Sequence, residues 1–225
     1  MAYAARHRLD GAWVALLVLL AVGAIAGAGV EGMRWLHYLC KPAATLLVIA
    51  RARAAPPGPY RRWVRVGLVC SLAGDIFLMW PADLFVAGLA EFLLAHVAYI
   101  VAFARGARGP ALAVAAPLLA AYAGANLCGL WPHVPAALRG AVVAYTVVLA
   151  AMAALALARG ARPPADGTRA RLAALGAVLF VASDSLLAWD RFAGPLPGAI
   201  AGVLATYYAA QALIAVSAGR RRRAC

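Results

Sequence analysis

Two stretches of this chain put carboxylates where the surrounding residues are almost all apolar. Leu72-Ala73-Gly74-Asp75-Ile76-Phe77-Leu78-Met79-Trp80 and Val181-Ala182-Ser183-Asp184-Ser185-Leu186-Leu187-Ala188-Trp189 each run from a small residue to an aspartate and then to a tryptophan five positions on. Asp75 also stands as far before Tyr99 as Asp184 does before Tyr208. A charged side chain near the middle of a bilayer costs about 2.5–3.5 kcal/mol on insertion scales, so such a residue marks a functional site by default. Glu91 and His96 share the apolar stretch from Val66 to Phe103 with Asp75, and Lys41, Tyr207, Tyr208 and Gln211 interrupt other apolar runs. Carboxyls, an imidazole, an ammonium and phenols are the groups that move protons or hold an ionic ligand inside a membrane.

Each also has a packing alternative. Lys41 and Glu91 can form a buried ion pair that fixes helix positions. His96 can be a packing histidine, and Tyr207, Tyr208 and Gln211 can bridge helices by hydrogen bonds. The two aspartates fit this alternative least well, because they recur in one local pattern.

The elements that position these groups follow from composition. The 225 residues are 66% hydrophobic and 13% charged, with a mean hydropathy of +0.85, which excludes a soluble domain with a polar surface. Breaks at Pro, Gly and Arg clusters leave eight apolar segments, at about 12–30, 33–50, 63–80, 84–104, 109–128, 137–158, 169–189 and 197–218. Each is near the ~20 residues that cross a hydrocarbon core as a helix. No alternation supports a barrel. The sequence therefore predicts an all-α, polytopic membrane protein of eight transmembrane helices in a single integral-membrane domain, 1–225. The first apolar run is read as a retained span, since no cleavage site follows it.

The net charge of +13 comes from arginines between the apolar runs, not along a recognition helix, so nucleic acid is not the expected partner. Seventeen basic residues fall before segment 1, in alternate loops or after segment 8: Arg6, Arg8, Arg51, Arg53, Arg61, Arg62, Arg65, Arg105, Arg108, Arg159, Arg162, Arg169, Arg171 and Arg220 to Arg223. The other loops hold three, Arg34, Arg139 and Arg191. The positive-inside rule then puts both termini in the cytoplasm, with a bacterial inner membrane as the expected location. The echo between the two aspartate motifs divides the spans into parallel repeats, 12–104 and 109–218. Segments 3 and 7 run outward, so both carboxyls sit at one depth, roughly 8 Å inside the outer aromatic belt. Lys41 and Glu91 come to the outer half, and His96, Tyr207, Tyr208 and Gln211 lie nearer the midplane, giving a polar pocket open toward the outer leaflet. Cys40, Cys70, Cys128 and Cys225 have neither disulfide nor zinc spacing and read as free thiols, and no metal or other cofactor is expected.

Five motifs in succession carry a resemblance. Cys40-Lys41-Pro42-Ala43-Ala44-Thr45, Ser71-Leu72-Ala73-Gly74-Asp75-Ile76-Phe77-Leu78, Phe92-Leu93-Leu94-Ala95-His96-Val97-Ala98-Tyr99, Ser183-Asp184-Ser185-Leu186-Leu187-Ala188 and Thr206-Tyr207-Tyr208-Ala209-Ala210-Gln211 resemble, in order, the motifs of the YhhN-like lysoplasmalogenase family. The likeness covers about residues 40–217. It implies an eight-span membrane hydrolase that cleaves the vinyl ether bond of lysoplasmalogens to a fatty aldehyde and glycerophosphoethanolamine or glycerophosphocholine. Asp75 and Asp184 would be catalytic, with Lys41, Glu91, His96, Tyr99, Tyr207, Tyr208 and Gln211 around the substrate. Its partners would be a lysophospholipid substrate and membrane lipids. Vinyl ether hydrolysis needs an acid to protonate carbon and a base to guide water, roles that two carboxyls can divide. The sequence does not assign the acid and base roles; Asp75 is favoured as the acid if it faces Glu91 on the next helix. The competing class is a small proton-coupled carrier, since intramembrane Asp, Glu, Lys and His also mark ion paths.

Overall fold

The computed structural model describes residues 2–53, 57–161 and 167–219. Arg162, Arg220 to Arg223 and Cys225 lie outside the described residues, as do the side chains of Arg6 and Arg8. All eight apolar segments are helices: α1 (Ala2–Gly29), α2 (Arg34–Arg53), α3 (Pro59–Met79), α4 (Phe85–Ala104), α5 (Pro110–Leu130), α6 (Arg139–Gly160), α7 (Gly167–Phe192) and α8 (Ala199–Ser217). Short 3-10 turns at Trp131–His133 and Ala136–Leu138 join α5 to α6.

The ends differ from the hydropathy boundaries where polar residues do not break a helix. The first helix includes Arg6, Arg8 and Asp10, and α7 runs through Asp190 and Arg191 because no breaker comes before Gly194 and Pro195. Pro59 and Pro110 sit in the first turns of α3 and α5, where the missing N–H has no helical partner to lose. Pro42 and Pro117 lie inside α2 and α5, and both helices continue through them.

Six helices are long and apolar enough to cross a membrane by composition, namely α1 and α4 to α8. With them the protein is an integral membrane protein. The other two are of similar length and less apolar along their length, with Arg34, Lys41, Arg51 and Arg53 on α2 and Arg61, Arg62, Arg65 and Asp75 on α3.

Helices pack pairwise in chain order, α1 on α2, α3 on α4, α5 on α6 and α7 on α8, while α2 against α8 and α4 against α6 join the first four helices to the last four. Small residues set these distances, as is usual where lipid supplies no hydrophobic drive between helices. A Cβ at Gly74 would come within 2.7 Å of the Phe92 ring, and one at Gly176 within 2.9 Å of the Ala210 carbonyl. Between the two groups of four lies a core of Tyr99, Phe103, Phe180, Met152 and Ile214, all buried. The turn from α3 to α4 is closed by Asp83 at φ 50, in the left-handed region that Asp tolerates better than most residues.

Candidate active site

On α2, Lys41 and Thr45 stand one turn apart and so share a face. Both reach Asp75 of α3. Thr45 Oγ1 donates to Asp75 Oδ2 at 2.7 Å, the Tyr207 hydroxyl of α8 donates to the same oxygen at 2.7 Å, and Lys41 Nζ stands 3.6 Å from Oδ1. Asp75 is 1% exposed and Lys41 6%, so this is a buried ion pair with further hydrogen bonds on the carboxylate. The Tyr208 hydroxyl donates to the Lys41 carbonyl at 3.2 Å and ties α8 to the helix that carries the ammonium.

Asp184 of α7 is held differently. Its Oδ2 accepts from the Tyr145 hydroxyl of α6 at 2.6 Å, and His96 Nε2 of α4 lies 3.7 Å away, beyond hydrogen-bond length. No ammonium or guanidinium approaches it among the described residues. The His96 ring is wholly enclosed, edge-on to Phe180 at 4.7 Å and to Tyr145 at 5.3 Å between centroids, and neither ring nitrogen has a hydrogen-bond partner. Each aspartate is thus approached from the preceding helix of its own group of four and from the last helix of the other group. Asp75 is reached from α2 and α8, and Asp184 from α6 and α4.

Both carboxyls line one polar cavity of about 420 Å³, together with Lys41, Tyr207, His37 and Ser183. Its wall continues through Asp83, Asp190 and Arg191 at the ends of α3 and α7. There Arg191 Nη2 donates to Asp83 Oδ2 at 2.8 Å, and its guanidinium lies 4.7 Å from the centre of the Phe85 ring. A second cavity of about 80 Å³, almost wholly apolar, lies between α4 and α5 to α7. Leu78, Phe85, Phe92, Asp184 and Leu187 line both.

Of the residues singled out in the sequence, Asp75, Asp184, Lys41 and Tyr207 come together at the polar cavity. His96 reaches the site only through Asp184. Tyr99 and Gln211 do not line either cavity; the Tyr99 hydroxyl donates to Gln211 Oε1 at 2.7 Å, a bridge between α4 and α8. The same holds for Tyr208, whose partner is the Lys41 carbonyl. The alternative of a Lys41–Glu91 pair is not realised, because Lys41 projects to α3 and takes Asp75 instead. Half-buried Glu91 lines neither cavity and makes no hydrogen bond or ion pair among the described residues.

Four site residues escaped the sequence reading. Thr45 lies within a motif, one turn from Lys41, and that spacing was its signal. Tyr145 is a lone phenol in a run of Ala, Val and Leu. His37 donates from Nδ1 to the Ala24 carbonyl at 2.7 Å and lines the cavity. Arg191 had been counted only as a topology residue.

Fold and site define a class: a polytopic helical membrane protein with one buried and one partly buried carboxyl on a polar cavity that adjoins an apolar one. Residues 36–218 match the YhhN family, and the chain belongs to that family. It is 40% identical over 166 residues to human "Lysoplasmalogenase TMEM86B", covering 74% of this chain and 67% of the human protein. The pig protein of the same name is 40% identical over 178 residues, 79% of this chain and 72% of the pig protein. "Lysoplasmalogenase" of Mycobacterium tuberculosis (strain CDC 1551 / Oshkosh) is 36% identical over 185 residues, 78% of this chain and 67% of that protein. No solved structure matches the chain.

Proposed function

We propose that this protein is a lysoplasmalogenase, a membrane hydrolase that uses Asp75 and Asp184 to cleave the vinyl ether bond of a lysoplasmalogen. The observation that carries the reading is the placing of both carboxyls on one cavity with unlike partners, in a chain whose named relatives are lysoplasmalogenases. Asp75, its charge matched by Lys41, takes the base role. Asp184, on the apolar side and without an ammonium or guanidinium partner among the described residues, takes the acid role that the sequence slightly favoured for Asp75.

In the proposed cycle Asp184 delivers a proton to the outer alkene carbon, and an oxocarbenium ion forms at the carbon bonded to oxygen. Water adds there as Asp75 accepts its proton, giving a hemiacetal. Asp184 then takes the hemiacetal hydroxyl proton while Asp75 protonates the departing glycerol oxygen. The products are a fatty aldehyde and the glycerophospho head group, and both carboxyls are back in their starting forms. Acid and base thus exchange roles between the two half-reactions, each carboxyl switching as the acid/base carboxyl does in retaining glycoside hydrolysis. The Tyr207 and Thr45 hydroxyls hold Asp75 in place, and Tyr145 holds Asp184. Purified protein in detergent should release aldehyde from a lysoplasmalogen in proportion to enzyme and time. Uptake of lysolipid into vesicles without hydrolysis would favour a carrier instead.

The same proposal gives eight spans in two parallel repeats, with both termini cytoplasmic in a membrane such as the bacterial inner membrane. The matched approach to the two aspartates from corresponding helices supports the repeats. The arginines flanking the α2–α3 connection support a cytoplasmic position for it. Reporter fusions after residues 107 and 165 should behave as cytoplasmic, and fusions near 82 and 133 as external. A fusion between α2 and α3 is the decisive one. Eight spans make it cytoplasmic, whereas a six-span arrangement without α2 and α3 makes it external.

A further inference from the structure

We propose that the apolar cavity between α4 and α5 to α7 is the binding site for the hydrocarbon chain of the lysolipid, with Asp184 at the junction where chain meets head group. The inference rests on the proposed reaction and deepens it. The two cavities are chemically opposite. The polar one carries Lys41, His37 and Arg191, groups that suit the phosphate of a head group, and Asp75, Asp83, Asp184 and Asp190, which suit its cationic amine. The apolar one is walled by Leu89 of α4, Leu119 and Leu127 of α5, Leu149 of α6 and Val181 of α7, and Asp184 is the one acidic or basic residue of its lining.

They are continuous, because Leu78, Phe85, Phe92, Asp184 and Leu187 belong to both walls. A molecule filling both is polar at one end and apolar at the other, with about 80 Å³ in the apolar cavity for the part of a chain next to the junction. The bond to be cleaved joins those two ends. The acid that protonates the alkene must therefore stand where the cavities meet, and Asp184 stands there while Asp75 lines the polar cavity alone. The chain lies against α5 and α6 of the second group of four helices, and the phosphate lies toward α2 of the first.

Ala123 of α5 and Ala150 of α6 line the apolar cavity and offer space that a larger side chain would fill. Ala123→Trp and Ala150→Phe, in the full-length protein in detergent, are compared with the wild type on long-chain and short-chain lysoplasmalogens. The readout is the ratio of the two kcat/KM values. Each methylene displaced from an apolar site is worth about four-fold in affinity, so the loss of a few methylenes lowers the long-to-short ratio by roughly ten-fold or more. In parallel, an alkyl-ether lysophospholipid bearing a mid-chain diazirine is photolysed with the wild type, and the labelled peptides are mapped.

A lowered ratio with adducts on residues 119–130 or 142–150 is the expected result. An unchanged ratio in both variants, or adducts confined to α1, α2 or α8, overturns the chain site. Wild-type protein that releases no aldehyde from either substrate overturns the reaction instead, while labelling of α5 and α6 would still uphold the chain site.

Discussion

Asp184→Asn protein should elute from size exclusion like the wild type and release aldehyde from a lysoplasmalogen ~10²–10⁴-fold more slowly, the usual worth of a general acid or base. The substitution is clean because of what surrounds the carboxyl. Asp184 accepts one hydroxyl hydrogen bond, from Tyr145 at 2.6 Å, and an amide oxygen can accept the same bond. Among the described residues it makes no ion pair with a lysine or arginine, so no buried cation there is left uncompensated. Asparagine keeps the volume and the hydrogen bond but cannot deliver a proton to carbon. Near-normal turnover by a folded Asp184→Asn protein would sink the two-carboxyl mechanism, whatever the family membership.

The second large effect is expected in stability. Lys41 and Asp75 form a buried pair at 3.6 Å, and removing one partner of such a pair leaves a charge in a medium that cannot solvate it. Breaking a buried pair from one side costs about 3–5 kcal/mol in soluble proteins, whereas replacing both partners is often nearly neutral. Lys41→Met and Asp75→Asn should each lower the thermal unfolding midpoint in detergent, and the double variant Lys41→Met/Asp75→Asn should recover most of the loss. Aldehyde release should stay abolished in the double variant, which separates the pair's part in folding from its part in catalysis. If the two destabilisations simply add, the residues are not coupled and the pair does not organise the site. If the double variant hydrolyses substrate, Asp75 is not the base.

How much of this was legible beforehand is clearest residue by residue. Eight apolar segments become eight helices, and for the six apolar enough to cross a membrane hydrophobic length and the need to satisfy backbone groups leave no other choice in lipid. Asp75 and Asp184 stood out for a related reason: a carboxylate in an apolar helix is costly enough to be conspicuous in a single sequence. Helix ends were less legible, since Arg6 and Arg191 fall outside the hydropathy windows yet are compatible with helical backbone.

Partner choice was not legible at all. Lys41 pairs with Asp75 and not with Glu91 because α2 turns that face toward α3 and α8, and the facing of helices is set by small-residue contacts such as Gly74 against Phe92. Tyr145 becomes a partner of Asp184 only because α6 packs between α4 and α7. The sequence by itself determined the class of protein, the helices and the identity of the two carboxyls, because these depend on local hydropathy and on the cost of burying charge. Only the tertiary structure decided which cation and which hydroxyls each carboxyl meets, and that Asp184 borders the apolar cavity while Asp75 does not. Those contacts join residues as far apart in the chain as Asp75 and Tyr207, and the packing angles of whole helices fix them, which no spacing along the chain records.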